Sequence, residues 1–200
     1  MAVSRGMSVR AAALIVACTA VAVTGASTAA RAAEPACSAP AELTRFLKPL
    51  PRFAGRLAAG APLRIVALGS SSTVGLGASR PENAYPARLE ADLRRRFPAA
   101  AITVVNRGVN GNETRDEMLR FERDVLAEKP DLVIWQIGTN TLLNGHDMWP
   151  VFLDVRAGIR RLRAQGADVV LMNPQYSPRV LARADYEAMI DLVDVTGRET

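Results

Sequence analysis

The segment with the clearest chemical content is Gly69-Ser70-Ser71-Ser72-Thr73-Val74-Gly75. A row of hydroxyls between glycines offers a nucleophile, hydrogen-bond donors and a backbone that a ligand can approach closely. A helix beginning in this turn aims free N–H groups at negative charge, which describes a cradle for an oxyanion or a phosphate. Two further stretches have the same small, polar, glycine-flanked character: Asn106-Arg107-Gly108-Val109-Asn110-Gly111 and Gly138-Thr139-Asn140-Thr141. Glycine and serine are also what ordinary βα turns contain, so any one stretch alone says little. Three, each behind an apolar run, point to a site.

Those apolar runs are the elements that must position it. Leu63 to Leu68, Ala101 to Val105, Leu132 to Ile137 and Asp168 to Met172 read as four short strands. Between them lie helical spacings: Leu89, Leu93 and Phe97; Met118, Phe121 and Val125; Phe152, Val155, Ile159 and Leu162. Thr114 and Glu117 have capping-box spacing, Pro150 suits a first helical turn, and Ser177-Pro178 opens a helix running toward Asp194. Apolar strands separated by single helices predict a parallel sheet covered on both faces, a three-layer α/β/α sandwich. Such sheets bind ligands at the carboxyl ends of their strands, where all three turns fall.

The chain has 200 residues, 49% hydrophobic and 22% charged, which excludes a disordered chain. Its two cysteines exclude a disulfide scaffold or a four-cysteine zinc site. Residues 1–32 combine Arg5 and Arg10, an apolar stretch from Ala11 to about Val23, and small residues ending in Ala30-Arg31-Ala32. This is the pattern of a secretory signal cut after Ala32, with an apolar run shorter than the roughly 20 residues of a membrane span. The predicted mature chain carries 22 basic and 20 acidic groups, so the net charge of +5 is no sign of nucleic acid. Arg94-Arg95-Arg96 reads as a solvated helix end. Cleavage removes Cys18 and leaves Cys37 alone in an oxidising compartment. Residues 33–62, with five prolines, read as a lead-in with one short helix around Leu43 to Leu47, and residues 63–200 as the folded domain.

The three turns resemble the conserved blocks of the SGNH hydrolases, the GDSL-like lipases and esterases. Leu68-Gly69-Ser70-Ser71-Ser72-Thr73-Val74-Gly75 is similar to the first block, Val104 to Gly111 to the second and Gln136-Ile137-Gly138-Thr139-Asn140 to the third, in the same order. The resemblance implies an exported ester hydrolase with a flavodoxin-like sandwich and no metal or cofactor. It places the nucleophile at Ser71 and the oxyanion hole in the N–H groups of Ser71 and Gly111 and the side-chain amide of Asn140. Donors fixed on a developing oxyanion typically contribute ~3 kcal/mol each to lowering the barrier.

The first block departs from the family pattern, with Ser70 where aspartate is common and Ser72 where leucine or isoleucine is common; Thr141 replaces an acid in the third. The family's Asp-x-x-His, which supplies the general base, has no match in the 200 residues, whose sole histidine is His146. His146 reads as an exposed loop residue without catalytic duty, and Asp147 as serving the start of the next helix. A sheet of this kind takes a fifth strand and a closing helix, so the missing base is expected in a further C-terminal segment. Two alternatives from other classes are a carbohydrate-binding relative that has lost the base and a flavodoxin-like phosphate or FMN binder. Trp149 and Tyr176 suit a sugar or acyl site or ordinary packing, and Trp135 suits the core.

Overall fold

The computed structural model describes Phe46 and residues 48–199. The predicted signal, both cysteines and, apart from Phe46, the helix expected around Leu43 to Leu47 lie outside the described residues. Four parallel strands, β1 (Leu63–Gly69), β2 (Ile102–Gly108), β3 (Leu132–Gln136) and β4 (Asp168–Met172), form one sheet in the order β2-β1-β3-β4. Along the chain, α1 (Pro51–Ala58) precedes β1, and α2 (Ser71–Val74) and α3 (Tyr85–Arg96) lie between β1 and β2. Next come α4 (Thr114–Leu119) and α5 (Phe121–Asp124) before β3, then α6 (Thr139–Asn144) and α7 (Trp149–Ala164) before β4. Last are α8 (Pro178–Leu181) and α9 (Tyr186–Glu199).

Both faces of the sheet are buried, which is why its strands read as nearly continuous apolar runs. On one face Val66, Leu68, Val133 and Trp135 pack against Phe121, Val155, Ile159, Leu162, Met189 and Val193 from α5, α7 and α9. On the other, Leu63, Ile65, Ile102 and Leu132 pack against Phe53 and Leu57 of α1 and Leu93 of α3. The predicted three layers are therefore present.

Several boundaries differ from the sequence reading. β2 runs on through Asn106, Arg107 and Gly108, because these residues stay in register with Ala67, Leu68 and Gly69 of β1. The lead-in carries a helix, α1, despite its prolines. Pro51 sits in its first turn, and its docking is polar: Arg52 Nε donates to Asp131 (2.8 Å) and the Phe53 N–H to Asp168 (2.8 Å), both at the amino ends of strands. The single helix expected over Met118 to Val125 is two, broken at Arg120, and that expected from Ser177 toward Asp194 is α8 and α9. The capping box of α4 lies one residue earlier than predicted. Glu113 caps the helix and Asp116 reaches back to its N–H (2.9 Å), while Thr114 and Glu117 face inward and are buried.

Candidate active site

Strand order fixes where the site must be. From β1 the chain leaves toward β2, then crosses back to β3 and β4, so its direction reverses between β1 and β3. Ligands in open parallel sheets bind at that reversal, outside the carboxyl ends. The turn after β1 holds Ser71 and the turn after β3 holds Asn140. Registers of Gly69 with Gly108 and Leu68 with Trp135 bring all three turns out side by side.

The first turn is tight. The N–H groups of Thr73 and Val74 both return to the Ser70 carbonyl (3.1 and 3.0 Å), which starts α2 with Ser71 as its first residue. Among the described residues, no hydrogen bond takes the Ser71 N–H. α2 lies so close to β2 that a Cβ on Gly108 would stand 2.3 Å from the Val74 nitrogen. Asn106 fastens the same contact, donating to the Thr73 carbonyl (2.9 Å) and accepting the Gly108 N–H (2.9 Å). The Ser72 hydroxyl donates to Gln136 at the end of β3.

The third turn depends on Gly138, whose φ of +81° is left-handed and whose missing Cβ makes room for the Met189 sulfur. It starts α6, and Asn140 in that first turn donates through Nδ2 to the Asn112 carbonyl of the second turn (2.8 Å). An amide has two N–H bonds, so this anchor leaves the other to a ligand. Gly111, immediately before Asn112, contributes backbone with a left-handed φ of +77°. A narrow cleft among these turns is lined by Ser70, Asn112, Glu117, Gln136, Thr139 and Asn140. The larger groove runs beside β4, lined by Leu50, Ile159, Asp168, Leu171 and Val193, and takes in none of the three turns.

Three residues near the site were not legible from sequence. Glu117 is 2% exposed in the cleft wall, accepting the Trp135 indole N–H (2.6 Å). Burial pushes its carboxyl up to about 8, against the Trp135 bond and the Arg120 charge. Arg120 turns inward at the α4–α5 break and donates to Asn112 Oδ1 (2.9 Å) and the Gly69 carbonyl (3.3 Å). Glu113 gathers Asn144 Nδ2 (2.6 Å), Thr141 Oγ1 (3.3 Å) and His146 Nδ1 (2.9 Å). Partial burial raises its pKa, but these bonds outweigh that and hold the carboxyl below the usual range. His146 is 63% exposed, as expected of a loop residue, and its Nδ1 contacts Glu113.

Asp147 accepts the Trp149 N–H (2.9 Å) and so serves the start of α7. Trp135 is fully buried, as predicted. Trp149 and Tyr176 are 61% and 85% exposed and so are not packing residues of the core. Among the described residues no helix is long and apolar enough to cross a membrane. No group of three or more His, Cys, Asp or Glu among them could hold a metal ion.

Comparison with known proteins agrees with this fold. The profile of the Non-GDSL lipase-like family matches residues 36–200. An acetylxylan esterase of Geobacillus stearothermophilus is 31% identical over 136 residues, a match covering 58% of this chain and 62% of that relative's length. Among solved structures, a two-domain esterase (CEX) active on acetylated mannans superposes with a TM-score of 0.61 at 27% identity, over 73% of this chain and 39% of that one. The acetyl xylan esterase AlAXEase shares the fold, with a TM-score of 0.59 at 22% identity over 68% of this chain and 73% of that one. The family name also suits a first block that reads Gly-Ser-Ser-Ser-Thr in place of Gly-Asp-Ser-Leu. The chain belongs to the Non-GDSL lipase-like family, within the SGNH and GDSL-like hydrolases.

Proposed function

We propose that this chain carries the acyl-transfer site of an exported serine esterase that removes acetyl groups from carbohydrate. The observation that carries the reading is the Asn140 amide, anchored on the Asn112 carbonyl beside the turn that presents Ser71. Ser71 Oγ attacks the acetyl carbon, its proton passes to a base, and the carbonyl electron pair moves onto oxygen. The Ser71 and Gly111 N–H groups and the free Asn140 N–H stabilise that oxyanion. The C–O bond to the sugar then breaks, the departing oxygen takes the proton, and water releases acetate from acetyl-Ser71 by the same steps. No residue of the 200 is assigned as the base, since among the described residues no hydrogen bond joins the one histidine, His146, to Ser71; the reading requires a base from outside them.

Carbohydrate is favoured by two observations. The esterases similar to this chain act on acetylated xylan or mannan, and Trp149 and Tyr176 offer exposed aromatic faces on the segments that follow β3 and β4. Export rests on the leader in residues 1–32. The test is acetate release from acetylated xylo- and manno-oligosaccharides, with Ser71→Ala as the control. Release by the native full-length protein, with its base in place, and none by its Ser71→Ala variant is expected. Binding of the oligosaccharide without release would replace this reading with a non-catalytic carbohydrate-binding relative.

A further inference from the structure

We propose that Arg120 is a positioning residue that orders the first and second turns against each other and, through Asn112, aims the Asn140 amide. Its catalytic consequence, though not the ordering itself, rests on the esterase reading above. Arg120 stands between α4 and α5 with φ −108° and ψ 5°, outside helical geometry, and this turns its side chain inward to 10% exposure. The guanidinium uses three nitrogens in three directions: Nε to Asn112 Oδ1 (2.9 Å), Nη2 to the Gly69 carbonyl (3.3 Å) and Nη1 to Asp124 Oδ2 (2.9 Å). The Gly69 carbonyl also accepts the Val109 N–H (3.1 Å), so the cation sits on the seam where the turns after β1 and β2 meet. Asn112 in turn accepts Asn140 Nδ2 through its own carbonyl (2.8 Å). A continuous path therefore runs from guanidinium to Asn112 to the proposed oxyanion donor.

Only a planar, multi-donor cation can hold these acceptors at once, and lysine, a point charge on a flexible stem, cannot. Asp124 supplies the balancing charge. Arg123 and Arg120 bond its carboxylate and hold it down to about 2 against the effect of burial, so it stays ionised. Withdrawing such a pair from water contributes little net stability, which is consistent with a role in geometry.

The test compares Arg120→Lys, Arg120→Met, Asn112→Ala and the Arg120→Lys/Asn112→Ala double variant with wild type. Readouts are kcat and KM on 4-nitrophenyl acetate, hydrogen–deuterium exchange across residues 69–75 and 109–113, and Tm. In Arg120→Lys, kcat should fall ~10- to 100-fold with KM within ~3-fold, the scale of a misaimed oxyanion donor. Exchange should rise in both turns and nowhere else, and the double variant should be no worse than the poorer single. If Arg120→Met does not fold, the lysine and Asn112 variants decide. A folded Arg120→Lys with wild-type kcat and exchange overturns the proposal, as does exchange that rises evenly over the whole chain. If the native full-length wild type, with its base in place, releases no nitrophenol, the esterase reading fails, and exchange in the two turns alone decides the role of Arg120.

Discussion

Glu117→Gln removes a proton-binding group from beneath the site with almost no change of shape, and the amide oxygen can still accept the Trp135 N–H. The wild-type carboxyl is raised from 4.5 to about 8 by burial, opposed by the Trp135 bond and the Arg120 charge and aided by Asp116. Tyr85, also facing it, is itself raised by burial and stays neutral in the same range. A folded-state pKa above the unfolded one means that the native chain holds this proton more tightly. The stabilisation is therefore complete below pH 4.5, declines as pH rises, and is gone above pH 8. At ~1.4 kcal/mol per unit the whole span is worth at most ~5 kcal/mol. Between pH 5 and 7.5 wild type should lose ~3 kcal/mol relative to the variant. Urea unfolding of both proteins at four pH values, followed by tryptophan fluorescence, measures that difference directly, and titrations common to both cancel. Parallel profiles, agreeing to within ~0.5 kcal/mol over the window, would refute a buried neutral acid at position 117.

Asn140→Ala should lower kcat on an acetyl ester ~10²- to 10³-fold with little change in KM, read from steady-state kinetics, because it removes an oxyanion donor. Gly108→Ala places a Cβ 2.3 Å from the Val74 nitrogen. It should cost ~1–3 kcal/mol in chemical denaturation and reduce esterase activity together with it. Trp149→Ala should raise KM for acetylated xylo-oligosaccharide several-fold while leaving KM for 4-nitrophenyl acetate unchanged, since only the oligosaccharide reaches an exposed aromatic face.

The strands and the three turns were legible because their signals are local. A strand buried on both faces must be apolar along its length, and close backbone approach at a strand end demands small residues. What sequence hid is tertiary. Arg120 lies within an otherwise helical spacing and Glu117 reads as a capping-box residue, yet both turn inward, because Asp124 and the Trp135 indole wait there. The same inward rotation explains why Thr114 and Glu117 have capping-box spacing while Glu113 and Asp116 do the capping. α1 was concealed by prolines whose helix-starting role shows only once Asp131 and Asp168 are seen to receive it. Trp149 and Tyr176 could be weighed from sequence as packing or site residues, but only the fold left them exposed.

The most direct test of the central claim is an intact-mass spectrum before and after treatment with an organophosphonate serine probe, with peptide mapping of the adduct. The account predicts one adduct, on Ser71, lost in Ser71→Ala and retained in Ser72→Ala. An unmodified folded native full-length protein, or an adduct that maps to Ser70 or Ser72, would contradict Ser71 as the activated nucleophile.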